Sequence, residues 1–414
     1  MAKILELKCT LCEKTYAPDE VQYTCPTCGE VGTLDVLYDY ENIKSMVRRE
    51  ELKQNYDHSM WRFRELLPIG ANSPVPPLQV GSTPLVNSAR LAKALGLKQA
   101  WVKNDGQNPT GSLKDRASAM VVARAMEQGI DIVTTASTGN AAAALAGVGA
   151  AAGIKTIIFV PATAPEAKIA QLLVYGATVL LVEDTYDVAF DLCLNISQSE
   201  GWYCRNTGVN PFTTEGKKTA AFEIAEQLDW NVPDVVVVSV GDGSIIGGLH
   251  KGFSELFQIG WIKRIPRLIG VQAIGSSPLV DAWKSGIKAE EMQPITAHSI
   301  ADSIVAGLPR DRVKALRAVR ETNGAYVAVS DAEILQAIPA FARLTGVFAE
   351  PAAAASFAGA QHALQLGLIK PDESILLLCT GNGLKDVARA RESVSEGIRV
   401  RPNITAVKEA LKHL

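Results

Sequence analysis

From Lys98 onward, short apolar runs alternate with longer segments in which apolar residues recur at helical spacing. The runs are DIVTTA (131–136), KTIIFV (155–160), TVLLVE (178–183), DVVVVSV (234–240), RLIGVQA (267–273) and ESILLLCT (373–380). Continuous apolar strands separated by helices indicate parallel sheets that are covered by helices on both faces. The pattern therefore predicts an α/β fold of two doubly wound lobes with mainly parallel sheets.

Three glycine-containing turns follow predicted strands: STGN (137–140), GDGSIIGG (241–248) and TGNG (380–383). In doubly wound sheets, ligands bind at the carboxyl ends of the strands, where such turns lead into helix N-termini. Any one of these turns alone is more often a plain connection between a strand and a helix. Three together favour a shared ligand.

The segment NPTGSLKDR (108–116) places Lys114 in the first turn of an amphipathic helix that follows Ser112 and stops before Gly129. The positive end of the helix dipole disfavours a charged lysine there, which makes the free amine available as a nucleophile for Schiff-base chemistry. The local residues support a plain solvated lysine equally well.

The turn at 241–248 offers several unobstructed backbone N–H groups at a helix start, which suits a phosphate dianion. It has neither the GxGxxG spacing of dinucleotide sites nor the lysine of a P-loop, so NAD and ATP are disfavoured. In STGN, the Asn140 amide and the N–H groups from Thr138 onward could hold a ring hydroxyl and a carboxylate. Thr380 offers a neutral hydroxyl.

Residues 1–34 resemble a small appended module with four cysteines, Cys9, Cys12, Cys25 and Cys28. The spacing CxxC-x12-CxxC lets the two cysteine pairs converge on a tetrahedral zinc ion. A module this short buries too little apolar surface to fold without such a crosslink. The alternative is a remnant without metal. The other cysteines, Cys193, Cys204 and Cys379, are scattered and are expected to be buried thiols.

The formal net charge is −3, from 41 basic and 44 acidic residues, which does not favour nucleic acid or a membrane surface as partner. We find no signal-peptide pattern and no apolar run of the ~20 residues that span a bilayer. We therefore expect a soluble, cytoplasmic protein that acts on a small molecule. We also expect a homodimer.

The segments NPTGSLKDR, STGN, the glycine loop, VFAEPAAAAS and CTGNGLKD occur in this order along nearly the whole chain. As a set they resemble the threonine synthase branch of the fold-type II, tryptophan synthase β-like enzymes, which use pyridoxal 5'-phosphate (PLP). The N-terminal CxxC module is also common in that branch. The resemblance implies conversion of O-phospho-L-homoserine and water to L-threonine and phosphate.

The resemblance also implies roles for individual residues. Lys114 would be the catalytic Schiff-base lysine, Asn140 the partner of the PLP 3-hydroxyl, and Thr380 the partner of the pyridine nitrogen. The cofactor phosphate would be cradled by Gly241, Asp242, Gly243, Ser244 and Ile245. The substrate would be bound by Ser137, Thr138 and Gly139.

The chain order of these residues suggests a division into lobes. Residues 35–112 and 213–414 are predicted to form a large PLP-binding lobe, and residues 113–212 a small mobile lobe. The cofactor would then bridge the lobes, and closure would exclude water from the reaction.

One departure from the family puts the substrate in question. Threonine synthases carry a segment like NPxRxEGQKT, whose arginine binds the substrate phosphate, whereas this chain has NPFTTEGKKT (210–219), with Thr213 at that position. Threonine cannot replace a bidentate guanidinium. Arg205, Lys217 or Lys218 could compensate, although helix lysines are usually solvated.

Two alternatives follow. The first is a PLP-dependent β-elimination, as in a dehydratase or ammonia-lyase, or a β-replacement on a serine-like amino acid. Three further departures from threonine synthases favour this first alternative: Ala141, Asn382 and the form of the glycine loop. The second is a zinc-ribbon binding protein without catalysis, which the retention of Lys114 and Asn140 argues against.

Overall fold

The computed structural model describes residues 4–164 and 166–412. Pro165, which the sequence places near the start of a helix, lies outside the described residues. The strands are β1 (Ile4–Cys9), β2 (Thr15–Tyr16), β3 (Leu34–Tyr38), β4 (Leu85–Asn87), β5 (Gln99–Asn104), β6 (Ile132–Ala136), β7 (Lys155–Pro161), β8 (Thr178–Val182), β9 (Tyr203–Cys204), β10 (Val235–Ser239), β11 (Arg267–Ala273), β12 (Ala325–Val329) and β13 (Ser374–Cys379).

Helices of varied length separate most of these strands. They are α1 (Tyr40–Met46), α2 (Ala89–Leu95), α3 (Lys114–Glu127), α4 (Asn140–Ala152), α5 (Glu166–Val174), α6 (Tyr186–Glu200), α7 (Phe212–Gln227), α8 (Ser244–Gln258), α9 (Pro278–Ser285), α10 (Arg312–Glu321), α11 (Asp331–Thr345), α12 (Pro351–Gln365), α13 (Val387–Glu392) and α14 (Ile404–Leu411).

Two mainly parallel sheets form the body of the protein. The larger has the order β12-β11-β10-β13-β5-β4, in which only β4 runs antiparallel to its neighbour, and the smaller has the order β8-β7-β6-β9 with all pairs parallel. Each of the six strands predicted from apolar runs is present within one residue of its predicted ends. The α/β fold class is confirmed.

The central strand β10 shows why its residues are uniformly apolar. Val236 and Val238 pack into one buried core, while Val235 and Val237 pack into a second core on the opposite face. Successive side chains of a strand point to opposite faces, so a sheet covered by helices on both sides needs apolar residues at every position. This arrangement leaves the carboxyl ends of the strands free to form a ligand site.

The N-terminal residues form a third, antiparallel sheet of order β2-β1-β3, which continues to Tyr38. It is fastened to α10, where Lys314 Nζ donates to the carbonyl of Leu34 at 2.7 Å and Arg317 pairs with Asp35 at 2.6 Å. The module is thus joined to α10, which packs on the larger sheet, by one buried and one partly buried polar contact.

Strands β5 and β12 were not identified from the sequence. β5 contains Lys103, and lysine is rarely buried in proteins unless its charge is paired. The Lys103 side chain has no exposed area, and its charge is paired with Glu223 at 2.7 Å. The strands of the smaller sheet all lie between residues 132 and 204. The lobe limits at residues 113 and 212, and the motion of that lobe, stay predictions. Among the described helices, none combines the length and apolar character needed to cross a bilayer.

Candidate functional site

A cavity of about 740 Å³ lies where the carboxyl ends of β6, β10 and β13 meet. It brings together every residue that the sequence analysis assigns to cofactor or substrate. These residues are Lys114, Ser137, Thr138, Gly139, Asn140, Gly241, Asp242, Gly243, Ser244, Ile245 and Thr380. Residues from four separate parts of the chain therefore face one space.

Lys114 is the first residue of α3. The start of this helix is fixed to the end of β13, because the N–H of Leu113 donates to the carbonyl of Thr380 at 2.9 Å. Burial lowers the pKa of Lys114; the Glu350 carboxylate opposes this shift and the Arg205 guanidinium adds to it. A lysine with a lowered pKa has more of its amine in the free, nucleophilic form.

The glycine loop is shaped by close packing. Gly243 has φ of +89°, a left-handed conformation that favours glycine, and it immediately precedes α8. A Cβ at Gly241 would lie 2.9 Å from the Cα of Ile304, so no larger residue fits there without movement. The first N–H groups of α8 have no partner within their own helix, so the loop presents donors suited to a phosphate.

Asn140 is the first residue of α4, and its amide donates to both carboxylate oxygens of Glu350 at 2.9 and 3.0 Å. Glu350 is buried, borders the cavity and precedes Pro351, the first residue of α12. Burial raises its pKa. The sequence analysis quoted this acidic residue within VFAEPAAAAS but gave it no role, since nothing in the local string shows that it reaches Asn140.

The expectation that the lysines near the substrate segment are solvated is wrong. Arg205, Lys217 and Lys218 have at most 1% of their area exposed. Lys218 pairs with Glu215 at 2.6 Å and with Glu255 at 2.8 Å, away from the cavity. Arg205 and Lys217 line the cavity, whereas Thr213 is buried outside its lining and donates to the carbonyl of Asn210.

The four cysteines of the N-terminal module converge. Their Sγ atoms all lie within 4.8 Å of one another, and those of Cys12 and Cys25 are 3.8 Å apart. A tetrahedral zinc ion with Zn–S bonds of about 2.3 Å requires sulfur separations of roughly 3.8 Å. The N–H groups of Leu11 and Cys12 also point at the Cys9 Sγ, at 3.4 and 3.5 Å, as donors to a thiolate. This set fits zinc.

The same module borders the cavity. Thr24 and Glu30, which flank the second pair of cysteines, belong to the cavity lining. Glu30 pairs with Arg310 at 3.2 Å, and the hydroxyl of Tyr23 accepts from the N–H of Cys204 at 2.9 Å. Cys204 immediately precedes Arg205, so the module supports the segment that carries a cavity cation.

Comparison with known proteins agrees with this geometry. The family model described as pyridoxal-phosphate dependent enzyme matches residues 77–381. The chain belongs to this family. It is 41% identical to the threonine synthase of Methanocaldococcus jannaschii over 98% of this chain and 99% of that protein. It is 42% identical to the threonine synthase of Methanosarcina acetivorans over 98% of each chain.

A solved structure supports the same fold. The processed form of threonine deaminase isoform 2 from Solanum lycopersicum aligns with a TM-score of 0.66 at 22% identity, over 84% of this chain and 88% of that one. The predicted family, fold class and PLP cofactor are confirmed. The chain is a PLP-dependent lyase of the threonine synthase group.

Proposed function

We propose that this enzyme converts O-phospho-L-homoserine and water to L-threonine and phosphate, with Lys114 as its cofactor-binding lysine. The observation that carries the proposal is one cavity that gathers Lys114, the glycine loop and the 137–140 turn in a chain similar to threonine synthases over its full length. The residues fit PLP, because a partly buried lysine with a lowered pKa lines the same cavity as a loop of backbone donors suited to a phosphate.

PLP, when bound, withdraws electrons from an attached amino acid, which permits loss of a γ-phosphate and addition of water at the β carbon. The protein residues hold and move the protons. Lys114 would bind the cofactor aldehyde and, as a free amine, would carry protons at the α and β carbons of the substrate. Ser137, Thr138 and Gly139 offer donors for the substrate carboxylate.

Asn140 and Thr380 would orient the cofactor ring. Asn140 is held by Glu350 in this structure, so we propose that its amide is shared between Glu350 and the cofactor 3-hydroxyl. Thr380 borders the cavity with a neutral hydroxyl for the pyridine nitrogen. A hydroxyl cannot hold that nitrogen protonated as a carboxylate would, which suits elimination and replacement at the side chain.

We further propose a structural zinc ion on Cys9, Cys12, Cys25 and Cys28, supported by the sulfur separations given above. The lobe of residues 113–212 is proposed to close over PLP held by the lobe of residues 35–112 and 213–414. A cytoplasmic homodimer without nucleic-acid partners completes the proposal.

The test is a panel of O-phospho-L-homoserine, L-threonine, L-serine, O-phospho-L-serine and 2,3-diaminopropionate, with phosphate, ammonia and 2-oxoacid release measured separately. We expect L-threonine and phosphate from O-phospho-L-homoserine alone. Ammonia and a 2-oxoacid from an unphosphorylated amino acid, with O-phospho-L-homoserine inert, would favour the elimination alternative. Phosphate release from O-phospho-L-serine without ammonia or a 2-oxoacid would favour β-replacement, which the absence of arginine at Thr213 leaves open.

A further inference from the structure

Buried cations fall into two groups in this protein. Seven lysine and arginine side chains are buried among the described residues. Five of them have a carboxylate oxygen within 4.0 Å: Lys103, Arg116, Lys218, Lys251 and Lys314. The remaining two, Arg205 and Lys217, have no such partner within the described part of the chain, and both line the cavity.

The hydrogen bonds of these two cations leave donors free. Arg205 Nε donates to Ser118 Oγ at 3.2 Å and Nη1 to Thr207 Oγ1 at 2.8 Å, but Nη2 is buried without a partner. Within residues 4–164 and 166–412, the one side-chain partner of the Lys217 ammonium is the neutral hydroxyl of Ser244. Because an ammonium has three donors, Lys217 also retains capacity for an anion.

The two cations affect each other. Burial and the charges of Arg205 and Lys114 lower the pKa of Lys217, while Asp242 and Asp311 act in the opposite direction from beyond ion-pair distance. Like charges that share a buried cavity without counterions are unfavourable unless an anion binds between them. Lys114 is committed to the cofactor aldehyde, which leaves Arg205 and Lys217 as the fixed cations.

The position of Lys217 relates it to the missing arginine. In the family segment NPxRxEGQKT, arginine stands at the position of Thr213 and glutamine at that of Lys217. Both positions lie in α7, four residues apart, so they share a helix face one turn from each other. The chain has thus lost one cation at the first turn and gained one at the next.

We propose that Arg205 and Lys217 together bind the phosphoryl group of the amino-acid substrate, replacing the arginine that is absent at Thr213. This inference rests on the proposed function for the identity of the substrate. The guanidinium provides a directed donor and the ammonium a mobile one, so the pair supplies the charge-assisted hydrogen bonds that a phosphoryl group requires. The backbone donors of the glycine loop remain available to the cofactor phosphate.

The test compares Lys217→Gln and Arg205→Gln in the holoenzyme. The measurements are the Kd of inorganic phosphate by calorimetry, the KM of O-phospho-L-homoserine and the cofactor content. Each variant should weaken phosphate binding and raise KM by roughly ten- to a hundredfold, with kcat changed much less and cofactor content unchanged. Lys217→Arg, which keeps the charge, should restore most of the affinity.

Lys314→Gln is the matched control. Lys314 is equally buried but is paired with Asp35 and does not line the cavity, so this variant should lose stability without changing the Kd of phosphate. An unchanged Kd in Lys217→Gln and Arg205→Gln would overturn the proposal. Loss of cofactor from Lys217→Gln, with phosphate affinity per loaded enzyme intact, would instead assign Lys217 to the cofactor phosphate and also overturn it.

The phosphate measurement separates this inference from the proposed function. If O-phospho-L-homoserine is inert but inorganic phosphate and O-phospho-L-serine bind with the same dependence on both cations, the subsite stands and the proposed substrate fails. If O-phospho-L-homoserine is converted by both variants with an unchanged KM, the proposed function stands and the subsite fails.

Discussion

Two groups of charged side chains, each with members on α3 and α7, differ in whether their charges are neutralised by the protein. In the first, Arg116 contacts Asp105 at 2.7 Å and Glu223 at 2.6 Å, and Glu223 also pairs with Lys103 at 2.7 Å. In the second, Lys114, Arg205 and Lys217 share the cavity without an ion pair among the described residues.

The difference indicates what each group does. The first has two cations, two carboxylates and further bonds to Thr83 and Thr219, so its charges are satisfied by the protein itself. Such a network fixes how α3 and α7 pack, although its net contribution to stability is small. The second is completed only by a ligand, which marks it as a binding site.

The largest expected effect is in the unpaired group. Lys114→Ala removes the amine that binds the cofactor, so turnover should fall by roughly 10³-fold or more. The folded state should persist, because the first residue of a helix contributes little to packing. Steady-state rates and far-UV circular dichroism measure the two effects. Reduction with borohydride followed by mass spectrometry should place the cofactor on Lys114 in wild type, and label on another lysine would refute the assignment.

The next effect is in the paired group. Glu223→Gln leaves Arg116 and Lys103 with less counter-charge in a buried site, so the free energy of unfolding should fall by about 3–5 kcal/mol. Urea unfolding measures it. The control is Glu226→Gln, one helical turn further along α7. The pair of Glu226 with Arg62 is partly exposed, so its loss should lower the free energy of unfolding by no more than about 1 kcal/mol. Equal losses from the two variants would mean that burial does not set the value of these pairs.

A smaller effect is expected from the support of Arg205. Cys25→Ser should release zinc from the N-terminal module and loosen the contact between Tyr23 and Cys204, next to Arg205. We expect a rise in the KM of the phosphorylated substrate of roughly threefold to tenfold, since about one charge-assisted bond would be weakened. Metal analysis and kinetics are measured together. Wild-type protein without zinc would contradict the metal site. The control is Thr27→Ser, which lies between Cys25 and Cys28 but changes no cysteine.

The smallest effect is a change in bound protons. Burial and the charges of Arg205 and Lys114 lower the pKa of Lys217, and the charges of Asp311 and Asp242 oppose that shift. A bound anion should raise the pKa of Lys217. At a pH between the pKa of the anion-free enzyme and that of the complex, sulfate binding to the holoenzyme should therefore take up as much as about one proton. Sulfate affinity should therefore fall as pH rises through this range. Calorimetry in buffers of different ionisation enthalpy measures the uptake, which Lys217→Gln should abolish.

Much of this protein follows from local sequence. Six strands were located within one residue of their ends. Five of them are buried on both faces and are therefore mostly apolar, whereas β8 is largely exposed and was located by its apolar run alone. Lys114, Asn140 and the glycine loop stand at strand ends and helix starts, which is where a doubly wound fold places ligands. The cysteine spacing likewise indicated the cluster that the structure forms.

Tertiary structure decided which charges are neutralised. The sequence shows Lys217 and Lys218 as adjacent helix residues, but successive positions on a helix point about 100° apart. Lys218 therefore meets Glu215 and Glu255, while Lys217 enters the cavity beside Ser244. The contact of Asn140 with Glu350 spans 210 residues and leaves no local signature. Pairing depends on distances in space between groups far apart in the chain, so only the folded structure could separate the cations that hold the protein together from those left for a ligand.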